Sequence, residues 1–194
     1  MKGLRILLIG LVLLSAGCAF TPQAVVLKPE LLPVSARIGQ GQPVLVTVVD
    51  ERPRSTLGTR GARGVGAELT IAGDLLEVVR KAISDGLQNQ GFSPTTEKSV
   101  DGPELRVEVR NLDYRVVVGF WAGTLSTECG LKAICIQGSA RPFEQLYRGE
   151  YQESVQVVQT EEANEKYINA AVSKAINALL QDSRLTQCLT DRRT

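Results

Sequence analysis

The sequence contains no histidine. This absence excludes the Ser-His-Asp and Cys-His arrangements of nucleophilic enzymes, and it excludes metal sites built on histidine. An enzyme of this composition would have to use carboxylates, a serine activated by lysine, or a single thiolate. We therefore expect a non-enzymatic protein that holds no metal and no cofactor.

An excess of either charge is also missing, because 22 Lys and Arg residues are balanced by 21 Asp and Glu residues. A chain without a basic excess has little attraction for a polyanion, so we expect no nucleic acid among its partners. With 194 residues, of which 43% are hydrophobic, the chain is typical of one globular domain.

Long apolar runs are absent as well. The longest, residues 6–14, has about nine residues where a membrane-spanning helix needs roughly twenty. Two basic residues, Lys2 and Arg5, precede this run, and three small residues and a cysteine follow it at 15–18. Residues 1–17 are therefore typical of the signal peptide of a lipoprotein.

We predict cleavage before Cys18, which then carries N-acyl and S-diacylglycerol groups; the alternative is an ordinary signal peptide with a chance cysteine. Each buried methylene contributes about 0.8 kcal/mol, so three acyl chains hold a protein on a membrane and make membrane lipid its first partner. Ala19, and not Asp, follows the cysteine. In many Gram-negative bacteria this favours the outer membrane, so we expect a lipid-anchored domain that faces the periplasm.

Three further cysteines, Cys129, Cys135 and Cys188, cannot all pair with one another. Apolar residues alternate with polar ones over 125–135, which predicts a strand that separates Cys129 from Cys135 by about 20 Å. Gly130 would permit a bend in that strand. We expect either buried thiols or a bridge from Cys135 or Cys129 to Cys188. As a nucleophile Cys129 would need a lowered pKa, so a buried structural thiol is the expected role.

Residues 18–43 are predicted to form a tether. Four prolines disfavour a helix there, and Gly39 and Gly41 add freedom. Fully extended, this segment would reach on the order of 80 Å at about 3.3 Å per residue, which would hold the domain clear of the membrane. Residues 25–27 are apolar enough to dock on the edge of the domain as a short strand.

Residues 44–183 are predicted to form a single α+β domain, followed by a frayed tail over 184–194. Asp74 and Thr160 are typical N-caps of two amphipathic helices, and Gly91 is typical of a helix end. The pattern predicts strands at 44–49, from 92, and at 105–116, 124–137 and 144–158, with a mobile Gly- and Arg-rich loop over 54–66. Strand, helix, short strand, three-strand meander and helix make a two-layer sandwich. Its sheet is mostly antiparallel, with two helices on one face.

Three groups of residues are candidates for contact with a ligand or partner. Asp50 and Arg52 follow the first predicted strand, where carboxylates could bind a cation or transfer protons; alternatively, Asp50 caps the loop and Arg52 pairs with a carboxylate. Arg60 and Arg63 lie among glycines that could cradle a phosphate or an acidic glycan, although the spacing matches no known phosphate loop. A plain surface loop is the alternative.

The third group is Phe120 and Trp121, which lie at a predicted hairpin tip. Aromatic side chains at exposed turns are often contact surfaces for other proteins. The alternative is that Trp121 folds back over the edge of the sheet.

The chain resembles the YajG-like family of bacterial lipoproteins over nearly its whole length. The resemblance rests on the order of five features: the signal ending at Cys18, the sequence 50–52 after the first strand, the helix 75–90 before Gly91, the sequence 105–114, and the closing amphipathic helix. The resemblance implies a membrane-anchored periplasmic domain and implies no reaction.

From these observations we expect an outer-membrane lipoprotein without enzymatic activity, which contacts another envelope protein as an assembly or interaction factor. The alternative is a periplasmic module that binds a small ligand or glycan through the Asp50–Arg52 corner and the Arg60 and Arg63 loop. An enzyme that uses a buried carboxylate pair is the third hypothesis.

Overall fold

The computed structural model describes residues 21–34, 36–61, 66–97, 102–119, 123–138, 142–155 and 159–191. Cys18, Arg63, Phe120 and Trp121 lie outside these residues. The described strands are β1 Gln23–Val26, β2 Pro43–Asp50, β3 Gly58–Thr59, β4 Glu68–Ala72, β5 Ser93–Thr95, β6 Glu104–Val118, β7 Gly123–Ile136 and β8 Phe143–Val155. The described helices are α1 Leu75–Asn89, α2 Glu161–Gln181 and α3 Ser183–Thr190. Within this part of the chain, no helix combines the length and the apolarity that crossing a membrane requires.

The larger sheet has the strand order β5-β2-β6-β7-β8. Strands β6, β7 and β8 form the predicted antiparallel meander, whereas β5 and β6 both run parallel to β2. The β6 residues Leu105, Val107 and Val109 are fully buried. Every second side chain of a strand faces the same side of the sheet, and these three face the helices. The α+β sandwich predicted from the sequence is therefore confirmed, with the parallel pairs as an added feature.

A second, three-stranded sheet has the order β1-β4-β3 and was not predicted. Strand β1 is parallel to β4, and β3 is antiparallel to it. The prediction of a mobile loop over 54–66 is wrong where it meets this sheet, because β3 lies within it and Leu57 is buried. Short strands without clear alternation give too little periodicity for a prediction.

The two long helices begin at the predicted caps. Asp74 Oδ1 accepts hydrogen bonds from the N–H groups of Leu76 and Glu77, and Thr160 Oγ1 accepts one from Ala163 N–H. Beyond the end of α1, the buried Gln90 side chain donates to Leu180 O of α2 at 2.6 Å. This bond joins the ends of the two helices.

The predicted frayed tail is wrong over α3. Leu185 and Leu189 of this helix are buried in the core, and a disulfide joins Cys188 to Cys135 of β7. This bridge is one of the alternatives predicted for the cysteines, and Cys129 is a free, buried thiol. The bridge fixes α3 to the larger sheet, so α3 is part of the domain.

The predicted tether is also wrong over its described part, because the chain lies against the domain from β1 onward. Val25 and Leu27 are buried, and β1 docks beside β4 as a short strand. Further along, the N–H groups of Ile38 and Gly39 donate to Gln90 O at the end of α1. The described part of the chain before β2 is thus held against the domain along much of its length.

Candidate functional site

The chain runs along α2 after it leaves β1, and we call residues 26–32 the strap. Every second backbone N–H of the strap donates to a side-chain oxygen of α2. The four bonds are Val26 N to Glu165 Oε1 (3.1 Å), Lys28 N to Asn169 Oδ1 (2.6 Å), Glu30 N to Ser173 Oγ (2.8 Å) and Leu32 N to Asn177 Oδ1 (2.8 Å).

Two asparagines of α2 also bond to strap carbonyls. Asn169 Nδ2 donates to Val26 O at 3.0 Å, and Asn177 Nδ2 donates to Glu30 O at 2.8 Å. Each side-chain amide therefore accepts one backbone bond and donates another, as the backbone of a neighbouring strand would. The strap is held to the helix as if it were paired in a sheet.

This pairing is possible because two residues of the strap and four residues of α2 advance by nearly the same distance. Two residues of extended chain advance by about 6.6 Å, and four residues of an α-helix advance by about 6.0 Å. Short hydrogen-bonding side chains at every fourth position of α2 can therefore meet every second N–H of the strap. The strap thus extends the chain from the start of α2 toward its end.

Arg60 holds the point where the chain enters the domain. Its guanidinium, which is almost fully buried, donates to Thr21 O at 3.0 Å and to Gln159 O at 3.3 Å, and it pairs with Glu161 at 3.4 Å. The prediction of Arg60 as a ligand contact is therefore not supported, because Nη1 and Nη2 of its buried guanidinium donate to these internal acceptors. Arg63, the second arginine of that prediction, lies outside the described residues.

A chain of buried polar side chains lies next to Arg60. Tyr114 Oη of β6 donates to Asn164 Oδ1 of α2 at 2.8 Å, and Asn164 Nδ2 donates to Gln23 Oε1 at 2.9 Å. Gln23 Nε2 in turn donates to Glu161 O at 2.8 Å. Burial raises the pKa of Tyr114 to about 12, so its hydroxyl keeps its proton. These bonds fix β1 to both the larger sheet and α2.

Asp50 and Arg52 form a bidentate ion pair at the end of β2. Arg52 Nε and Nη2 each donate to one carboxylate oxygen of Asp50 at 2.8 Å, and the Arg52 N–H also donates to Asp50 Oδ1. These hydrogen bonds from Arg52 hold the pKa of Asp50 below its ordinary value, even though burial acts in the opposite direction. The structure therefore matches the predicted alternative of a loop cap and a paired arginine.

The surroundings of this pair form a shallow depression of about 520 Å³. It lies beside Asp74 and the first turn of α1, and Asp50 and Arg52 line one side of it. The two residues are paired with each other, and Arg52 Nη1 is buried without a hydrogen-bond partner among the described residues. Across the part of the chain that the structure describes, His, Cys, Asp and Glu side chains form no group of three or more that could bind a metal ion.

Cys129 is a poor nucleophile in this structure. Its side chain is 1% exposed, and burial raises the pKa of its thiol to about 12. A reactive cysteine needs a lowered pKa and access to solvent, and Cys129 has neither. Its surroundings are those of the expected buried structural thiol.

The face of the larger sheet that carries no helix has several ion pairs. Glu108 lies between Arg106 (3.4 Å) and Arg110 (3.1 Å), and Lys132 pairs with Glu144 at 2.7 Å. The pairing of Val118 with Gly123 confirms the predicted hairpin between β6 and β7. Phe120 and Trp121 belong to its connection, which lies outside the described residues.

The residues that sequence reasoning missed are the strap partners Glu165, Asn169, Ser173 and Asn177. Asn169, Ser173 and Asn177 lie opposite the apolar stripe of α2, on the side that an amphipathic pattern leaves to solvent. The available signal was their spacing, because four short hydrogen-bonding side chains recur at every fourth position. The proline-containing segment before β2 would then have been the candidate to bond to these side chains.

The fold is similar to several solved structures at low sequence identity. A protein of the family DUF330 from Xanthomonas campestris has 12% identity and a TM-score of 0.50; the match covers 88% of this chain and 94% of that one. A minor lipoprotein from Acinetobacter baumannii has 13% identity, a TM-score of 0.44 and coverage of 75% and 91%. A homolog of a neuraminyllactose-binding hemagglutinin from Helicobacter pylori has 10% identity, a TM-score of 0.48 and coverage of 81% and 95%.

At these identities the likeness concerns the fold alone. No curated protein matches the chain in sequence. A family model does match, however, and it spans residues 29–190, from the strap to the end of α3. The chain therefore belongs to the family of lipoproteins that this model describes as "Uncharacterized lipoprotein".

Proposed function

We propose that this protein is a non-enzymatic lipoprotein of the outer membrane, anchored by acyl chains on Cys18 and facing the periplasm. Within its family it would belong to the YajG-like group. Its domain lies close to the membrane surface and acts by contact with another envelope protein, as an assembly or interaction factor.

The observation that carries this proposal is the short distance along the chain from Cys18 to the domain. Only four residues lie between it and Gln23, which is buried and bonded to α2. The five residue-to-residue steps from Cys18 to Gln23 span about 17 Å at most. A lipid on Cys18 would therefore keep the start of α2 near the membrane, in place of the 80 Å reach expected from the sequence.

The same geometry gives the domain an orientation. Helix α2 has 21 residues, so its two ends are about 30 Å apart. The end near Glu161 would face the membrane, and the end near Gln181 would face the periplasm. The disulfide between Cys135 and Cys188 supports an oxidising compartment such as the periplasm.

The state of the candidate reactive groups supports a role without catalysis. Asp50 is held ionised by Arg52, Cys129 is buried, and Arg60 is bonded to backbone carbonyls. The alternative of a ligand or glycan module has less support, because two of its four contact residues, Arg52 and Arg60, donate to internal acceptors.

Energy transfer from the domain to the bilayer tests the anchor and the orientation together. A donor dye is attached at Glu162→Cys or, as the matched control, at Gln181→Cys, both of which are exposed on α2. The mature protein is then reconstituted in vesicles that carry an acceptor on the lipid headgroups. We expect strong transfer at position 162 and weak transfer at position 181.

Equal transfer from both positions would contradict the orientation. The companion variant Cys18→Ser should keep the circular dichroism spectrum and melting temperature of the domain and lose its membrane attachment. Recovery of Cys18→Ser in the outer-membrane pellet at the level of the unchanged protein would contradict the anchor.

A further inference from the structure

Strand β6 extends well beyond the strand that covers one of its edges. The last residue pair between β2 and β6 is Asp50 with Val109, whereas β6 continues to Val118. On its other edge β6 is paired with β7 along its whole length. The second half of β6 therefore has one edge that none of the described strands of the larger sheet covers.

The chain after β2 covers this edge only as far as Tyr114. Tyr114 N–H donates to Leu57 O at 2.7 Å, and Gly58 lies so close to Tyr114 O that a Cβ atom would overlap it. Beyond this point β3 turns away, because Thr59 pairs with Glu68 of β4. Among the described residues, the edge of β6 is thus covered at Tyr114 and uncovered further on.

The antiparallel pattern identifies the backbone groups at the uncovered edge. In such a pair, successive residues direct their N–H and C=O groups alternately toward the partner strand and away from it. Since Tyr114 N–H is directed away from β7, the N–H and C=O of Val116 are directed away as well. Among the described residues, neither group of Val116 has a hydrogen-bond partner on this edge.

A cleft of about 390 Å³ lies along this edge. Its walls include Leu57, Thr59 and Gly61 on one side and Val116 on the other. Of its three charged side chains, Arg54 pairs with Asp113 at 3.1 Å, and Arg115 is exposed with no ion pair in the described part of the chain. The cleft therefore has a net positive charge.

We propose that the edge of β6 at Val116 binds an extended acidic segment of a partner protein, which adds a strand to the larger sheet. An unpaired N–H and C=O on a strand edge are matched best by another extended backbone. On the helix-free face, the added strand would bring carboxylates near Arg115, and its alternate, apolar side chains would lie on the other face beside the partly buried Val116. This inference rests on the protein-interaction role proposed above and names the surface that performs it.

Hydrogen exchange of the mature protein in detergent micelles tests the edge itself. In the free protein we expect the Val116 amide to exchange at least 100-fold faster than the amide of Val117, which is directed toward β7. Slow exchange of Val116 in the free protein would overturn the proposal, because the edge would then already be paired.

Two acetylated eight-residue peptides test the ligand chemistry, one alternating Val with Glu and the other alternating Val with Lys. The acidic peptide should bind at least tenfold more tightly and slow the exchange of the Val116 amide. Equal binding of both peptides, or protection confined to other strands, would overturn the proposal.

Variants separate the edge from the rest of the surface. Val116→Pro removes only an N–H that is directed away from β7, a position where an edge strand accepts proline. Arg115→Glu reverses the charge, and Arg148→Glu, on an exposed arginine of the same sheet face, is the matched control. Val116→Pro and Arg115→Glu should each weaken the binding of the acidic peptide at least tenfold, and Arg148→Glu should leave its binding unchanged. If Arg115→Glu binds normally, the proposal fails; crosslinking to an envelope protein elsewhere on the domain would still support the wider function.

Discussion

The two arginines predicted to contact a ligand donate their hydrogen bonds to groups inside the domain. Arg52 and Arg60 were candidates for ligand contact, yet both are nearly buried and bonded inside the domain. Arginine presents five donors in a fixed plane, and a buried guanidinium needs acceptors for them. Asp50, Thr21 and Gln159 supply acceptors here, so these arginines stabilise loops.

The ion pair of Asp50 with Arg52 has a measurable consequence at acid pH. Because hydrogen bonds from Arg52 lower the pKa of Asp50 in the folded state, the pair stabilises the fold fully above the unfolded pKa, about 3.9. That stabilisation is lost as the pH falls through the lower, folded-state pKa. We expect an NMR titration of the Asp50 carboxyl carbon to give a pKa below the ordinary range.

Arg52→Lys should return the Asp50 pKa toward its ordinary value, because lysine cannot form the bidentate pair. Arg54→Gln is the matched control, since Arg54 pairs with Asp113 and not with Asp50. A raised pKa of Asp50 would refute the assignment and would revive the hypothesis of an acid–base enzyme.

At the scale of elements, the two sides of α2 serve two different partners. The apolar stripe that includes Ile168, Val172 and Ile176 is buried in the core, as the helical period predicts. The opposite side holds the strap through side chains spaced by four. A polar helix face is usually interpreted as solvent-exposed. Here it provides the hydrogen-bond partners that a neighbouring strand would provide for the strap.

Removal of the two asparagine side chains that bond to the strap should weaken its attachment to α2. Asn169→Ala and Asn177→Ala each remove two bonds to the strap backbone, so each should lower the free energy of unfolding by about 1–2 kcal/mol. Urea unfolding measures this loss. Hydrogen exchange at the Lys28 and Leu32 amides should speed up at least tenfold in the double variant.

Lys166→Ala is the control for these variants, because Lys166 is exposed on α2 and makes no strap bond. Its stability should stay within about 0.5 kcal/mol of the unchanged protein. Unaltered exchange of the strap amides in the double variant would mean that burial of Val25 and Leu27 alone holds the segment.

At the scale of the whole molecule, a disulfide bond fixes helix α3 to the larger sheet. The disulfide joins β7 to α3 across 53 residues of sequence. A loop of this length loses much conformational entropy when it is closed in the unfolded chain, and the closure stabilises the fold by up to about 4 kcal/mol.

Cys188→Ala should therefore lower the free energy of unfolding by about 2–4 kcal/mol and expose α3 to proteases. Dithiothreitol should lower the stability of the unchanged protein by a similar amount and have little effect on Cys188→Ala. In guanidinium without reductant, thiol titration of the mature lipidated protein should find one reactive cysteine, Cys129. A second reactive thiol, or no effect of the reductant, would contradict the bridge.

The elements with a local signal are the ones that could be predicted from the sequence. The caps of α1 and α2, the alternation along β6 and β7, and the pairing options of the cysteines all depend on neighbours within a few residues. For this reason the α+β sandwich and the meander could be predicted from periodicity and composition.

The second sheet, the docking of α3 and the course of the strap depend on contacts between residues far apart in sequence. Strands β1, β3 and β4 are too short to show a period, and α3 is held by a bridge to a distant strand. The strap bonds join residues 139 to 145 positions apart, such as Val26 with Glu165 and Leu32 with Asn177. A side chain that bonds to a distant backbone leaves the same local pattern as one that bonds to water, so the sequence could not distinguish a free tether from a docked strap.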